Sequence, residues 1–491
     1  MVESASIDTP AVLERVRARV SRREAEVLQV RLGWRYFSRY GTATGEGGSI
    51  RWAVYEKLQL HVRQGGARPN IAIVSVDTLR ADHLGLYGYG RPTSPGIDRW
   101  SQGALVYETA MSTASETAPS FASLHTGRLP ASHGLRTNHE QIDSGNWTLA
   151  RILKQAGYES AAFVSSFVLT SENCRLDLGF DLYDETLDAM EINRNDRPIR
   201  LAPALHGAVE SWLSRRQAGG PPWFLWVHAI DPHGPYTPLP EFKGTFRSEG
   251  GPTLSREMIQ DYQWLGTLDY DDYVDGYDDE ILQADAYLTK IIDRIEGMPD
   301  PDGTILIFVA DHGEAFGEHG KYFQHGRSVH VEEIHVPLII KDLRSPRSAR
   351  IAQPVSLVDV APTILALLGI EPGLPMDGMT LDARVARGDP IVSGWKPGEI
   401  MALQGTWKAM AKYRDPNDGR LEVYDLASDP GEIHPLSRTW AAQADLLMAI
   451  HNAISGDSLT VAAQKALLRE QQESLDPEAI EKLRSLGYIG P

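Results

Sequence analysis

The sequence predicts an α/β fold in which a doubly wound, mostly parallel sheet is followed by a small antiparallel sheet. From residue 70 onward, short apolar runs alternate with longer stretches of helical periodicity. This alternation is typical of parallel strands that are joined by helical crossovers. Two of the apolar runs end abruptly, in Asp77 and Asp311. Ligands of such folds bind just beyond the carboxyl ends of the strands, so the same pattern also indicates a candidate site.

The composition is that of a folded chain from a reducing compartment. It has 491 residues, of which 42% are hydrophobic, and this is enough for a large core. The single cysteine, Cys174, excludes an intrachain disulfide, and its hydrophilic sequence context predicts an unreactive thiol in a loop. The first residues lack the order of a secretory signal, and no apolar run approaches the roughly 18 residues of a membrane span. We therefore expect a cytoplasmic protein without a membrane span.

The charge is unevenly distributed along the chain. The formal net charge of −18 argues against a nucleic-acid partner, because phosphate backbones are held chiefly by Lys and Arg. The first 70 residues nevertheless carry twelve Arg and Lys against seven Asp and Glu. These numbers predict a basic N-terminal segment in front of an acidic main domain. The expected partner is a small-molecule ester, and assembly into a homo-oligomer stays open.

Residues 1–68 predict a helical extension in front of the main domain. Within it, residues 10–32 predict an amphipathic helix with Pro10 in its first turn and a repeating apolar side, made by Val12, Val16, Val20, Val27 and Val30. The Gly-rich stretch 41–48 predicts a loop. The helix would serve as an oligomer arm or a membrane-surface anchor, or it would simply pack on the main domain with its Arg side in water.

Residues 69–384 predict the α/β domain itself. Its predicted strands are 71–76, 161–166, 223–228, 304–311 and 336–341, and its clearest predicted helices are 146–158 and 278–296. The acidic stretch 269–280 predicts a solvated loop that leads into the second helix, with Asp278 and Asp279 near its positive end.

Residues 385–491 have a different pattern of apolar and turn-forming residues. The strings MALQGTWKAMAKY and LEVYDL predict antiparallel strands around a Gln-Gly turn, and therefore a small second sheet. Helical periodicity over 436–454 and 459–486 predicts that helices end the chain.

A hydroxyl nucleophile is predicted between the two Asp residues. Residues 117–128 begin with Thr-Ala-Pro, a common helix opening, so Thr117 is interpreted as the helix cap. A cap hydroxyl lies where backbone N–H groups and the helix dipole favour a bound anion. A metal ion held by the Asp residues, this helix end and a hydroxyl nucleophile together predict ester hydrolysis.

Several motifs resemble the sulfatase family of the alkaline phosphatase superfamily, over about residues 69–435. The matching strings are DTLRADHLGLYGYGRPTSPG (77–96), TAPSFASLHTGR (117–128), HAIDPHGPY (228–236), ADHGEAFGEHG (310–320) and DGMTL (377–381). The resemblance implies an alkaline-phosphatase-like fold and a metal-dependent ester hydrolase. The N-terminal extension lies outside it.

The residue at the nucleophile position departs from the family pattern. Sulfatases carry Cys or Ser there, which is oxidised to the aldehyde formylglycine, whereas this chain has Thr117. Because the β-carbon of threonine bears a methyl group, its oxidation gives a ketone and not an aldehyde. A phospho-threonine, by contrast, is open to attack by water at phosphorus. The resemblance therefore points to the phosphodiesterase, phosphonate monoester hydrolase and phosphotransferase branches.

The resemblance also implies the metal ligands. These are Asp77, Thr117, Asp311 and His312, where calcium-dependent sulfatases have Asp-Asp in the first motif and Asp-Asn in the second. An imidazole in place of an oxygen ligand shifts the preference from Ca²⁺ towards Mn²⁺ or Zn²⁺. One divalent ion is expected. The candidates for a second metal, or for contacts to the substrate anion, are Asp231, His233, His325 and His228.

Two histidines are candidates for proton transfer. His233 matches the family's anion contact or leaving-group acid, and His325 lies where relatives place a Lys or His against the leaving group. Two family anion contacts are missing: the Arg of the nucleophile motif is Phe121, and the Lys-x-His after the Gly-Tyr element is replaced within AAFVSS (161–166). Three further motif residues are interpreted as parts of fold-supporting ion pairs, namely Arg80, Asp82 and Arg128.

The leading hypothesis is a metal-dependent hydrolase of phosphate diesters, phosphonate monoesters or related esters, acting through phospho-Thr117. The alternatives are a sulfatase that works without formylglycine and a soluble phosphotransferase. A non-catalytic binding protein on the same fold would use its basic N-terminal helix to hold a partner. The intact set of metal and nucleophile residues argues against this last alternative.

Overall fold

The computed structural model describes residues 28–36, 54–62, 68–299, 303–372, 375–394, 399–413 and 419–436, together with Leu446. The chain divides into two units, Met1–Arg68 and Pro69–Pro491. In the first unit, strands β1 (Leu28–Tyr36) and β2 (Val54–Val62) form an antiparallel pair. The helix predicted over 10–32 is therefore wrong for residues 28–32, because apolar residues alternate there with a strand period of two. The rest of that predicted helix, and the loop 41–48, lie outside the described residues.

The second unit contains the elements that carry the candidate site. Its strands are β3 (Asn70–Val76), β4 (Leu105–Met111), β5 (Glu159–Phe163), β6 (Leu182–Asp184), β7 (Ala189–Glu191), β8 (Arg194–Ile199), β9 (Trp223–Ala229), β10 (Thr304–Ala310), β11 (Ala315–Phe316), β12 (Tyr322–Gln324), β13 (His335–Asp342), β14 (Ala349–Ile351), β15 (Val355–Ser356), β16 (Ile391–Ser393), β17 (Glu399–Gln404), β18 (Trp407–Tyr413) and β19 (Gly419–Asp425). Its α-helices are α1 (Pro95–Trp100), α2 (Thr117–Thr126), α3 (Pro130–His133), α4 (Leu149–Gln155), α5 (Ala202–Leu213), α6 (Tyr270–Glu296), α7 (Val331–Ile334), α8 (Val360–Leu367) and α9 (Leu381–Arg387).

The main sheet confirms the predicted α/β class. Its strand order is β14-β4-β13-β10-β3-β9-β5-β6, with β15 also paired to β4. Neighbouring strands are parallel except where β13 pairs with β10 and with β4. The central strands β3, β9 and β10 are buried along their whole length, as expected for continuous apolar runs covered on both faces.

The register of the central strands positions the candidate site. Val76, the last residue of β3, lies opposite Ala310 on one side and Ala229 on the other. Asp77 and Asp311 each follow directly, so the two side chains leave the sheet at the same level. This is the edge at which ligands of open parallel sheets bind.

The C-terminal antiparallel sheet is also confirmed. Strands β16, β17, β18 and β19 pair in sequence order, and β17 and β18 are joined through Gly405, whose φ of 59° suits the predicted tight turn. The helices predicted over 436–454 and 459–486 lie outside the described residues, apart from Leu446 at a helical position.

The acidic stretch before the second predicted helix is not a loop. Helix α6 begins at Tyr270, and the side chain of Asp269 caps it by accepting from Asp271 N. Asp278 and Asp279 are buried within this helix, so the prediction of solvated Asp residues near its positive end is wrong. Burial is possible because Arg91 donates to Asp278 Oδ2 at 2.6 Å, and the backbone N–H of Phe246 donates to Asp279 Oδ1 at 3.0 Å.

Cys174 lies in a turn, as predicted, but its side chain is buried in the core and not in hydrophilic surroundings. Burial raises the pKa of its thiol to about 12, which accounts for an unreactive side chain by a different route. Among the helices of the described residues, none combines the length and the hydropathy needed to cross a bilayer.

Candidate active site

Asp77 and Asp311 form the floor of the site at the carboxyl edge of the sheet. Both side chains are completely buried. The backbone N–H of Asp77 donates to Ala229 O at 3.0 Å, so strand β9 also holds this corner. The parallel register therefore brings together two carboxylates that lie far apart in the sequence.

Thr78 has an unusual backbone conformation that orients Asp311. Its φ of 52° lies in the left-handed region, which β-branched residues rarely adopt. In this conformation Thr78 N–H donates to Asp311 Oδ1 at 3.1 Å, while the Tyr277 hydroxyl donates to Thr78 O at 2.7 Å. Strained backbone of this kind persists where the surroundings over-determine it. One oxygen of Asp311 is thereby held, and the other, Oδ2, has no hydrogen-bond partner among the residues that the structure describes.

The ring of His312 presents Nε2 to the two carboxylates. Its Nδ1 lies 3.0 Å from Gly313 O, which can only accept, so Nδ1 carries the proton and Nε2 has a free lone pair. Nε2 lies 3.5 Å from Asp311 Oδ2 and 3.8 Å from Asp77 Oδ1. A backbone carbonyl that fixes the tautomer in this way is typical of histidine metal ligands.

Thr117 is the first residue inside helix α2, and so the helix begins one residue earlier than predicted. The cap is Glu116, whose side chain does not bond to the helix end, so the interpretation of Thr117 as the cap is wrong. The Thr117 hydroxyl is instead directed at the carboxylate and imidazole groups. Its Oγ1 lies 3.2 Å from His312 Nε2 and 3.5 Å from Asp77 Oδ1, and the residue is buried.

The charges of this group fit a divalent cation. Burial and the negative charge of Asp77 raise the pKa of Asp311 to about 7. Burial also opposes ionisation of Asp77, but the nearby histidines, His228 first, outweigh it and lower its pKa. Asp77 Oδ2 and Asp311 Oδ2 are buried, and no group in the described part of the chain makes a hydrogen bond to either atom. Ligand atoms of Asp77, Asp311 and His312 lie within 4.8 Å of one another, so a cation there would neutralise both carboxylates.

His228 contacts the far side of Asp77. The backbone N–H of Ser165 points at His228 Nδ1 over 3.4 Å, which places the ring proton on Nε2, 3.4 Å from Asp77 Oδ2. A protonated Nε2 is a donor and not a metal ligand. The ring of Phe121 packs edge-on against His228, with ring centroids 5.2 Å apart. The buried hydroxyl of Ser165 has no hydrogen-bond partner among the described residues.

His233 and His325 lie together beside the ring of His312. The His325 ring centroid is 4.5 Å from that of His312 and 5.2 Å from that of His233. His233 Nδ1 lies 2.7 Å from Gly234 O, so its proton is on Nδ1. Burial lowers the pKa of His233 and of His325. The two predicted proton-transfer residues are therefore adjacent to the candidate metal ligands.

Asp231 does not join a second ligand group. It is buried, its carboxyl group bonds with Gln283, and burial raises its pKa to about 6. In the part of the chain that the structure describes, the groups with metal-ligand spacing do not include Asp231, His228, His233 or His325. The prediction of a second metal at these residues thus has no ligand group there.

Sequence reasoning missed three side-chain or backbone roles in the site. Glu314 is fully buried and contacts His325, Tyr236 donates to Glu314, and the backbone of Thr78 holds Asp311. Glu314 stands inside the ADHGEAFGEHG string, two residues after His312, so its place in that motif was a usable signal. The Thr78 conformation has no sequence signal, because threonine rarely adopts it.

The three motif residues predicted to support the fold have polar partners. Arg80 is nearly buried and pairs with Asp82 at 2.7 Å and with Glu318 at 2.8 Å. Arg128 donates to the neutral side chain of Asn146 at 2.6 Å, so among the described residues its partner is an amide and not the predicted carboxylate.

A second histidine-carboxylate group lies outside the site and already contains a cation. His319 Nδ1 is 2.8 Å from Glu332 Oε1, and His330 Nδ1 is 2.7 Å from Glu432 Oε2. The completely buried ammonium group of Lys408 pairs with Glu432. Although burial opposes it, the charge of Lys408 holds the pKa of Glu432 at about 2. Lys408 therefore balances the charge of Glu432, and we interpret the group as a structural ionic network.

Replacing Lys408 by methionine is expected to lower the free energy of unfolding by about 3–5 kcal/mol, because it leaves the buried carboxylate of Glu432 without its cation. Urea denaturation measures the change. The control is Lys154→Met, which removes a half-exposed ion pair with Asp181 and should cost less than about 1 kcal/mol. Equal effects of the two substitutions would contradict the assignment of a buried network.

The chain is similar in sequence and in fold to several known proteins. A model of the family described as Sulfatase matches residues 69–370, more than half of the chain. The chain is 22% identical to an ulvan-active sulfatase of Formosa agariphila over 343 residues, which are 66% of each protein. It is 24% identical over 414 residues to PehA, a multifunctional alkaline phosphatase superfamily protein of Trinickia caryophylli, covering 67% of the chain and 79% of the relative.

A solved structure shows the same fold. The phosphonate monoester hydrolase of Agrobacterium radiobacter aligns with a TM-score of 0.61 at 19% identity. The alignment covers 81% of this chain and 96% of that protein.

Proposed function

The chain belongs to the sulfatase family of ester hydrolases, and on this premise we propose that it cleaves phosphate diesters, phosphonate monoesters or related esters through a covalent phospho-Thr117 intermediate. One observation carries the proposal. The Thr117 hydroxyl is buried at the start of a helix, 3.2 Å from His312 Nε2 and 3.5 Å from Asp77 Oδ1. An unmodified hydroxyl beside a cation site suits attack on phosphorus.

The metal site is proposed to consist of Asp77, Asp311 and His312, with Thr117 beside it. A bound divalent cation would lower the pKa of the Thr117 hydroxyl and offset the negative charge of the ester. The mixed oxygen and imidazole donors favour Mn²⁺ or Zn²⁺ over Ca²⁺. The proposed ligand side chains are buried, and burial strengthens each of these charge interactions.

The reaction is proposed to run in two displacement steps. The Thr117 oxygen, after its proton has passed to solvent, bonds to phosphorus while the bond from phosphorus to the leaving oxygen breaks. His325 gives the leaving oxygen a proton, and His233 contacts the anion beside it. A water molecule then attacks phosphorus and gives a proton to His325, while the bond from phosphorus to the Thr117 oxygen breaks. The Thr117 oxygen takes a proton back from solvent, and this completes the cycle.

Sulfate ester hydrolysis is the second candidate, because relatives such as the ulvan-active sulfatase carry that activity in their names. Family membership supports it as well as it supports phosphorus esters. The threonine favours phosphorus, since a sulfo-threonine lacks the hemiacetal route of release that formylglycine provides. Transfer of the phosphoryl group to an acceptor other than water is a third candidate with the same first step.

A substrate panel is expected to show turnover of a phosphorus ester that stops when a chelator is added. The panel contains p-nitrophenyl phosphate, bis-p-nitrophenyl phosphate, p-nitrophenyl phenylphosphonate and p-nitrophenyl sulfate, each assayed by release of p-nitrophenol. The diester and the phosphonate should be hydrolysed fastest. Turnover of the sulfate alone would contradict the proposal and favour a sulfatase that works without formylglycine.

A further inference from the structure

Glu314 is a completely buried carboxylate whose partners are a histidine and a tyrosine of the site. Its Oε1 lies 3.2 Å from His325 Nδ1, and its Oε2 accepts from the Tyr236 hydroxyl at 3.1 Å. Among the described residues, no Lys or Arg pairs with this carboxylate: Arg80 donates to the backbone oxygen of Glu314. A buried carboxylate that only supports the fold is normally matched by a fixed cation or by backbone N–H groups. Here both oxygens face side chains of the site.

The backbone around Glu314 is held firmly in place. Gly313 N–H donates to Glu333 O at 2.9 Å, and a Cβ on Gly313 would come within 2.2 Å of Glu332 O. His312 lies immediately before this glycine. This segment of fixed backbone therefore positions both His312, a candidate metal ligand, and Glu314, the partner of His325.

The contact between Glu314 and His325 selects which nitrogen of the ring can act. A hydrogen bond between Nδ1 and the carboxylate occupies that nitrogen and leaves Nε2 free. The ring stands between those of His312 and His233, at centroid distances of 4.5 Å and 5.2 Å. Rotation of the ring would break the only hydrogen bond that the described residues make to it.

We propose that Glu314, held by Tyr236, is the positioning residue of His325: it fixes the ring through Nδ1, so that Nε2 is directed at the leaving oxygen and protonates it. This inference rests on the proposed function, because it needs an ester whose leaving oxygen takes a proton. In the step, the Nε2–H bond breaks and an O–H bond forms on the leaving alcohol, which keeps the electron pair of its bond to phosphorus. The proton of the hydrogen bond between Nδ1 and Glu314 stays within that bond, so the pair of His325 and Glu314 ends with one proton fewer and regains it from the water molecule that attacks in the second displacement.

The test compares two leaving groups on one ester. Wild type, Glu314→Gln and Tyr236→Phe are assayed with a p-nitrophenyl ester and with the matching phenyl ester, whose more basic oxygen needs a proton more strongly. Glu314→Gln should lower kcat by about 10²–10³-fold on the phenyl ester but less than tenfold on the p-nitrophenyl ester. Tyr236→Phe should give a smaller change with the same preference. A structural role would lower both rates equally, and that result would overturn the proposal.

A matched control is Glu333→Gln, the same substitution in another completely buried glutamate. Its side chain accepts from Arg327 N and Ser328 N, and the hydrogen bonds and ion pairs of the described residues do not join it to His325. It should show no preference between the leaving groups. If the Gln variant of Glu314 does not fold, Tyr236→Phe alone decides by the same criterion.

A second readout does not depend on activity. In ¹⁵N-histidine NMR spectra, the Nδ1 signal of His325, assigned with His325→Gln, should shift in Glu314→Gln and stay unchanged in Glu333→Gln. An Nδ1 signal that does not respond to Glu314→Gln would overturn the proposal. If the wild type turns over no ester while this signal shifts, the proposed function is wrong although Glu314 and His325 form the hydrogen bond. If the wild type is active but both leaving groups respond equally, only the positioning role fails.

Discussion

Thr117→Ala is expected to lower kcat/KM for the best phosphorus ester by about 10⁴-fold or more, because it removes the oxygen that forms the covalent bond. The side chain is small and its hydroxyl is directed at the site, so the loss should leave the fold and the metal content unchanged. Thr117→Ser keeps a hydroxyl at the same position and should retain measurable turnover. Steady-state kinetics measure both changes, and metal analysis checks that the site is loaded.

The covalent step has its own readout. Acid-quenched wild type should carry a phosphoryl group on the peptide that contains Thr117, and mass spectrometry should find none in the alanine variant. The control is Thr126→Ala in the same helix, whose hydroxyl donates to Ala122 O and lies outside the site. Activity of Thr117→Ala within tenfold of wild type, or an adduct on another residue, would refute the assignment of the nucleophile.

Asp311→Ala should abolish stoichiometric metal binding and lower kcat/KM by about 10³-fold or more, since it removes one of the two proposed carboxylate ligands and leaves only Asp77. Inductively coupled plasma mass spectrometry measures the metal, and the assay is repeated after chelation and re-addition. Mn²⁺ or Zn²⁺ should restore the chelated wild type better than Ca²⁺. His312→Asn should move this preference towards Ca²⁺, because an amide oxygen replaces the imidazole.

Asp231→Asn is the matched control for the metal prediction. Asp231 is also a buried carboxylate, but it lies outside the group of Asp77, Asp311 and His312. Its substitution should leave one equivalent of metal in place. Loss of metal from this variant would instead support the two-metal alternative, and full metal retention in Asp311→Ala would refute the proposed ligand set.

The fold class and the position of the central ligands could be predicted from local sequence patterns. The runs that become β3 and β10 are continuously apolar, which is what a sheet covered on both faces requires. Each ends in a polar residue at the carboxyl edge, so Asp77 and Asp311 could be placed at one site without knowledge of the contacts. The helix opening at Thr117 was predictable in the same way, although its cap was misplaced by one residue.

Predictions failed where long-range contacts outweigh local pattern. Asp278 and Asp279 have the composition of a solvated loop, yet Arg91 and the backbone N–H of Phe246 make their burial in α6 favourable. Residues 28–32 fit a helical period over a long window, but their alternation of apolar and polar residues belongs to a β-strand pair. Local propensity is a weak guide when partners distant in sequence supply the stabilisation.

The sequence by itself determined the sheet, its ligand-binding edge, the two carboxylates and the hydroxyl, because strand period and strand ends are local properties of the chain. Only the tertiary structure decided how these groups face one another. The positive φ of Thr78, the tautomer of His312 and the contact of Glu314 with His325 each depend on a partner that is not a sequence neighbour or on a carbonyl oriented by packing. Hydrogen-bond direction and burial arise from the packed assembly, and so do the chemical roles that they assign.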